Sequence, residues 1–546
     1  MRKIIFTVSA ILLTAGVLCA QENESLNRRI EVTRQYVPEV EGARKLEYSP
    51  RMTDTVTLKP YIDYAITPTP WKSVFGTEPI APIDISTARY EPMQPFYLRI
   101  GAGYPLASLA NIRASFGNRA SRHFGIYADH SGQWQQLIDN LNNYYGRNEN
   151  RLGFKGGFAA GKRNFDYDLH YNLNARQWNG MNVHSAFNYF NNLDMNIRFG
   201  DSFADLSRFN YRVGIDGGLW GNSLQSLTHN GGAGAFADFS WPAGNNAAVM
   251  LGAGFDGYWA TGISDQLISL TPHYRIYASD LTLKVGAKLY FNAFNRNANR
   301  GNDIYAIPDI KISYRFLPAL EPYLNIDGNV GSGSYNALYE LNPYVTPLSA
   351  GMRPKSVALQ GGIRGNARDI LVYDINAGYL AAETFCFVRS FDTGAFTPIA
   401  VPLNTTHVAA NLGLKFPFGF GILAGARYNV YNNDGNFWRA ANGNLSRFGM
   451  GIPALNLSAA LSYDCRNKLF TKIGVDFVGK RYFASVQDYY TEVPAYVNLY
   501  ASAEYKFNSK FSLFLRGDNL LNAPMYYYLD YPEFGISVMA GFTVIF

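Results

Sequence analysis

Residues able to do chemistry are sparse in this chain and rarely meet. The seven histidines (His123, His130, His170, His184, His229, His273 and His407) never fall at the spacing of a metal-binding pair. Phosphate-loop, zinc-protease and serine-hydrolase signatures do not occur. Asp129-His130-Ser131 is the one local cluster that suggests hydrolysis, but consecutive strand residues point to opposite faces and cannot converge. No catalytic, cofactor or metal residue is therefore expected. The side chains that could act together are cations at alternating positions: His273 and Arg275, then Lys284 and Lys288, then Lys311 and Arg315. If residues 294–305 form a symmetric loop, Lys284 lies opposite Arg315 and Lys288 opposite Lys311. A tight turn at Ser279-Asp280 brings Arg275 beside Lys284. Like charges directly opposed destabilise a sheet, and Asp309 is the one acid expected close enough to soften the cost. Such a patch would attract anions or dock an acidic segment; the plainer alternative is a solvated, mixed-sign wall.

The elements that would carry these residues alternate with period two. In 281–292, Leu281, Leu283, Val285, Ala287, Leu289 and Phe291 share one face and Thr282, Lys284, Lys288, Tyr290 and Asn292 the other. The same pattern recurs in 165–176, 406–416 and 497–508, and it predicts strands with one apolar and one polar face. About 22 such segments follow residue 96. Tight turns at Ser279-Asp280, 317–319, 366–368, Pro417, 465–467 and Asn508-Ser509 alternate with longer stretches at 294–305, 331–354, 381–404, 431–453, 480–495 and 519–534. Short turns on one rim and long loops on the other are the habit of outer-membrane β-barrels. The expected fold is thus an all-β transmembrane antiparallel barrel of about 22 strands, with short periplasmic turns and long extracellular loops. Tyr144-Tyr145, Tyr489-Tyr490 and Tyr526–Tyr528 are expected in interfacial girdles, a sugar-binding platform being the sharper alternative.

Composition agrees with an exported membrane protein. Charged residues are only 16% of the 546, aromatics reach 15%, and the net charge of +6 is too small to argue for a nucleic-acid partner. Met1-Arg2-Lys3, an apolar stretch to Leu18 and the polar Gln21-Glu22 predict a signal peptide over 1–20. Nine of the 25 prolines crowd into residues 21–95, which predicts an extended proline-rich periplasmic arm. The barrel would occupy 96–546. Cys386 and Cys465 supply no disulfide framework.

The C-terminus ends Gly541-Phe542-Thr543-Val544-Ile545-Phe546, with Phe542, Val544 and Phe546 on one face. This resembles the terminal signal read by the barrel-assembly machinery. Because an open sheet edge is not tolerated in lipid, the last strand should pair with the first near Tyr97–Gly103. The stretch Phe514-Leu515-Arg516-Gly517-Asp518-Asn519-Leu520-Leu521-Asn522, with Tyr526-Tyr527, Tyr531-Pro532 and Gly535 after it, resembles the last hairpin of TonB-dependent outer-membrane receptors. The motif covers 514–546, and the strand count extends the likeness over the barrel. Ile30-Glu31-Val32-Thr33 is similar to a TonB box. The resemblance departs at the plug, since the proline-rich 21–95 lacks the family's plug motifs. It implies a receptor-like solute transporter or channel in the cell outer membrane. The alternative is a non-transporting scaffold or assembly component, its lumen occluded by the arm, the loops, or a plug or lipoprotein partner. Outer-membrane lipid and the barrel-assembly machinery are the other partners it implies.

Overall fold

A strand that passes through a bilayer has lipid on one side and its own lumen on the other, and here the exposure of side chains follows that split. Leu289 is 43% exposed while Asn292 is 2% exposed, three positions and one face away. Val285, Phe291, Ile268, Leu270, Leu169 and Tyr171 join Leu289 on the outer belt. The computed structural model describes residues 95–546 except 119–121, 137–143, 181–182, 204, 224–229, 245, 297–298, 347–351, 391–392, 433–450 and 484–490. The expected signal peptide, the arm up to residue 94 and the Ile30–Thr33 stretch lie outside the described residues.

Twenty-two strands form one antiparallel sheet in which each barrel strand pairs with the next. The ring closes where β1 (Phe96–Tyr104) meets β26 (Ser537–Ile545), with Tyr97 opposite Ile545 and Gly103 opposite Met539. Closure thus falls on the segment expected from the sequence, and it leaves no ladder edge in lipid. β20 (Arg481–Phe483) with β21 (Thr491–Val493), and β24 (Tyr526–Tyr528) with β25 (Tyr531–Pro532), are small hairpins inside loops.

Two of the expected long loops are instead mostly strand. β11 (Leu281–Arg296) and β12 (Asn299–Tyr314) pair up to Arg296 opposite Asn299, so the 294–305 segment is a hairpin continued above the membrane. β15 (Leu371–Arg389) and β16 (Phe396–Lys415) likewise take up most of 381–404. Polar strand ends keep pairing beyond the bilayer because nothing there opposes the ladder, whereas the sequence pattern weakens once no lipid face must be apolar.

Rings near the short turns form the girdle. Phe158 and Phe165 lie 4.9 Å apart, Tyr314 and Phe316 4.7 Å, and Phe420 and Tyr463 4.4 Å. Tyr526–Tyr528, expected in a girdle, belong instead to the β24–β25 hairpin over the barrel mouth. Tyr526 and Tyr528 pack against a buried loop cluster. Phe546 closes the seam: its N–H donates to the Phe96 carbonyl at 3.0 Å and its ring lies 6.1 Å from that of Phe96.

Candidate functional site

The loop between β13 (Glu321–Val330) and β14 (Lys355–Ala367) turns inward over the lumen. Its base is tied by the Gly331 N–H to the Pro354 carbonyl at 2.8 Å. Ser334 then caps a two-turn helix α1 (Tyr335–Leu341), its hydroxyl accepting from the Ala337 N–H at 3.2 Å. Pro343 ends it, because the residue before a proline is pushed out of helical backbone, and Asn342 is extended. A seven-residue helix is marginal by itself; this one is held by its apolar stripe. Tyr335, Leu338 and Tyr339 are buried at i, i+3 and i+4, against Phe190 of β6 (Val183–Gly200), Tyr258 of β9 (Ala247–Ala260) and Ile263 of β10 (Ile263–Tyr277). Phe190 stacks on Tyr339 at 3.8 Å and meets Tyr335 edge-on at 5.5 Å. Asn222 of β7 (Asn210–Asn222) donates to the Tyr335 hydroxyl at 2.5 Å, and Asn192 of β6 donates to the Asn336 side-chain oxygen at 3.3 Å. Burial pushes the Tyr339 hydroxyl up to about 12 and that of Tyr335 higher still, so both remain neutral apolar-core groups at physiological pH.

Past the helix the loop crosses to the far wall. Val345 bridges Phe396 at the start of β16, with the Phe396 N–H on the Tyr344 carbonyl at 2.9 Å and the Thr346 N–H on the Phe396 carbonyl at 2.8 Å. β6 and β16 stand about ten positions apart in a ring of 22 strands, nearly a diameter. There the second inward loop, 519–536, meets it: Tyr344 stacks on Tyr531 at 3.7 Å and the Tyr528 hydroxyl donates to the Leu341 carbonyl at 2.9 Å. Phe483 and Val493 of the β20–β21 hairpin complete the same buried cluster.

Ion pairs fix both loops to the wall. Arg353, at the end of the first loop, donates to the Asp265 carboxylate and lies 3.1 Å from Asp256. Asp265 also holds Arg296 at 3.0 Å. The Arg353 and Asp265 side chains are 2% and 1% exposed, so this latch is almost dry. The second loop is held by Arg147 of β4 (Tyr144–Ala160), 3.7 Å from Glu533, and by Arg389 of β15, 2.9 Å from Asp530. Burial raises the Glu533 carboxyl above its usual range, opposed by the nearby Arg147 and Arg176.

The receptor-like motif lies in the second inward loop. Asn519, in left-handed backbone (φ 47°), sits at its root. It donates to the Ala523 carbonyl at 2.8 Å and the Phe534 carbonyl at 3.0 Å, and accepts from the Ala523 N–H at 2.9 Å. Asn522, also left-handed, accepts from the Ile536 N–H at 2.9 Å. The two asparagines staple the ends of loop 519–536 together.

The cationic residues keep the expected face but not the expected register or isolation. Lys284 lies opposite Lys311 and not Arg315, and Lys288 lies opposite Ile307, because the ladder continues up to Arg296 opposite Asn299. The slip is even, so the faces are unchanged. Arg275 does sit opposite Lys284, and His273 opposite Gly286. Compensation is more extensive than Asp309 alone. Lys284 meets Asp309 at 2.5 Å, Lys288 meets Asp327 at 2.6 Å, and Arg315 meets Glu321 at 3.2 Å, which also holds Arg364 at 2.5 Å. Arg275 lies over the Tyr277 ring at 4.3 Å. The acids Asp327 and Glu321 come from β13, a strand the sequence pattern did not bring beside this patch. Tight pairing with these acids makes the wall mixed in sign.

The barrel has solved counterparts. The ferripyoverdine receptor of the Pseudomonas aeruginosa outer membrane aligns over 84% of this chain and 72% of its own, with a TM-score of 0.61 and 12% identity. The FrpB iron transporter from Neisseria meningitidis aligns over 83% of both chains, at 0.63 and 9%. The copper transporter OprC aligns over 83% of this chain and 80% of its own, at 0.61 and 10%. No protein-family model and no curated protein matches the sequence. At these identities the likeness defines the architecture: a multi-pass β-barrel of the cell outer membrane with the fold of TonB-dependent receptor barrels.

Proposed function

We propose that the protein is a receptor-like solute transporter or channel, not an enzyme, whose lumen is closed at rest by loops 331–354 and 519–536. The observation that carries this reading is the apolar lid laid across a polar-walled barrel. A lumen of this width breaches the permeability barrier unless filled, and the lid answers that need from the extracellular side. A scaffold reading is favoured by one feature, the near-complete burial of the Arg353–Asp265 latch, which resembles a permanent core. Planar-bilayer recordings of the full-length protein separate them. Transport predicts a mostly closed pore with resolvable openings, and the scaffold predicts no openings at any voltage together with a stoichiometric protein partner on purification. The arm over 21–95, and a plug or lipoprotein partner, are proposed as further occluders from the periplasmic side.

The wall of His273, Arg275, Lys284, Lys288, Lys311 and Arg315 is proposed as the anion-facing side of the lumen. Replacing Lys284, Lys288, Lys311 and Arg315 by Gln leaves Asp309, Asp327 and Glu321 in place. In a lid-deleted barrel the reversal potential under a salt gradient is then expected to move toward cation selectivity. An unchanged reversal potential would make these residues plain wall.

Gly541, Phe542, Val544 and Phe546 are proposed as the signal for the barrel-assembly machinery. Removing Phe546 deletes one seam ring and its backbone pair with Phe96, a small part of a closed 22-strand ladder. The expected result is slower appearance in the outer membrane, followed by pulse-chase and heat-modifiable gel mobility, with little change in the melting temperature of the mature barrel.

A further inference from the structure

Three neighbouring periplasmic turns bring a cluster of cations together on one sector of the rim. They are 415–420 between β16 and β17 (Phe420–Asn432), 464–468 between β18 (Leu455–Cys465) and β19 (Leu469–Val478), and 506–511 between β22 (Tyr496–Lys506) and β23 (Phe511–Asp518). Together they carry the cations Lys415, Arg466, Lys468, Lys506 and Lys510 against a single acid, Asp464. Asp464 is already engaged, accepting the Asn467 N–H at 2.8 Å.

The turns form one surface. A side chain at Gly419 would run into the Asp464 carbonyl, so the first turn is pressed against the second. The Lys506 N–H donates to the Lys468 carbonyl at 2.7 Å, joining the second to the third, and the Ile545 N–H donates to the Lys510 carbonyl at 2.8 Å, joining the third to the C-terminal strand. Lys415, Arg466, Lys468 and Lys510 are all exposed.

Exposed rings are interleaved with them. Phe416, Phe418, Phe420, Phe507 and Phe546 stand out from the rim, and Phe418 at a turn tip is 89% exposed. Phe418 also occupies left-handed backbone (φ 69°), where glycine or asparagine is the inexpensive choice. In water such a residue costs twice, in strain and in apolar exposure. Both costs are offset if the ring enters the boundary between acyl chains and head groups, where aromatic side chains are favoured.

We infer that this rim sector binds anionic phospholipid head groups of the periplasmic leaflet, the cations pairing with phosphates while the Phe416–Phe420 turn anchors among the acyl chains. Charge complementarity selects the occupant: clustered Lys and Arg beside a membrane-embedded segment attract acidic lipid at short range.

The test uses the full-length protein in nanodiscs of phosphatidylethanolamine and phosphatidylglycerol, with the lipids retained through detergent extraction counted by native mass spectrometry. The parent is expected to retain phosphatidylglycerol severalfold above its bulk share. The variant Lys415→Gln/Arg466→Gln/Lys468→Gln/Lys510→Gln should fall to the bulk ratio, and Arg466→Gln/Lys468→Gln partway. Lys162→Gln/Arg163→Gln, on a distant rim turn, should match the parent. Normal heat-modifiable mobility establishes folding of each variant, and the double variant serves if the quadruple one misfolds. No enrichment in the parent, or equal enrichment in parent and rim variants, overturns the proposal. So does an unchanged lipid profile with loss of a co-purifying acidic protein.

Discussion

A variant in which residues 333–352 are replaced by a short Gly-Ser linker is expected to form large, long-lived pores where the full-length protein is mostly closed. The linker keeps the Gly331–Pro354 base pair of the loop and every barrel strand. It removes α1, the Tyr344–Tyr531 stack and the Phe396 bridge, which are the contacts that span the mouth from β6 to β16. Loop 519–536 loses its packing partner at the same moment. Because a barrel of this size leaves an aqueous passage unless something fills it, conductance should rise severalfold or more, and cells carrying the variant should become sensitive to bulky antibiotics. Heat-modifiable mobility should stay that of a folded barrel. Conductance equal to the parent would place the seal elsewhere.

Arg353→Ala is expected to open the same lid without shortening it. Removing one partner of a buried ion pair typically costs about 3–5 kcal/mol, since the remaining charge is left unpaired in a dry site. Here the cost is expected below that range, because Arg296 still pairs with Asp265 at 3.0 Å and the Asp256 carboxylate is about half exposed. That loss falls on the loop and not on the ladder. Frequent openings in bilayers and normal thermal unfolding of the barrel are the expected pair of results. Arg353→Ala/Asp265→Ala should be less disruptive than the single changes add up to, because the second substitution removes a stranded charge. Strict additivity would show that the two side chains do not form a latch.

The barrel was legible because lipid imposes a rule on every second residue. Leu289 and Asn292, or Val408 and His407, had to face opposite ways, and the structure places them so. Closure near Tyr97–Gly103 followed from the same constraint. What the alternation does not encode is where a ladder stops above the membrane. The middle of the 294–305 segment was therefore placed too far along, and the pairing of Lys284 shifted with it, since the ladder runs on to Arg296 opposite Asn299. The inward loop was hidden for another reason. Its helix offers only one buried turn-and-a-half, and Arg353 meets Asp265 across 88 positions, Asn192 meets Asn336 across 144. Ser334, Pro343 and the Tyr335-Leu338-Tyr339 spacing were the local signals available for the helix, but none says that it points into the lumen. Asn519 and Asn522 could be matched to a receptor motif by type, while their stapling role needed the hydrogen bonds.

Whether the mouth is closed by its own loop in a membrane is most directly read by hydrogen exchange of the full-length protein in lipid nanodiscs. The amides of Leu338, Asn342 and Val345 donate within the loop, to the Ser334, Leu338 and Asn342 carbonyls, and that of Thr346 donates to the Phe396 carbonyl of β16. Peptides spanning 335–346 are predicted to exchange slowly, on the timescale of the neighbouring strand ends, and to lose that protection in Arg353→Ala. Complete exchange of 335–346 at the earliest time point, with the strands still protected, would contradict a loop-sealed barrel.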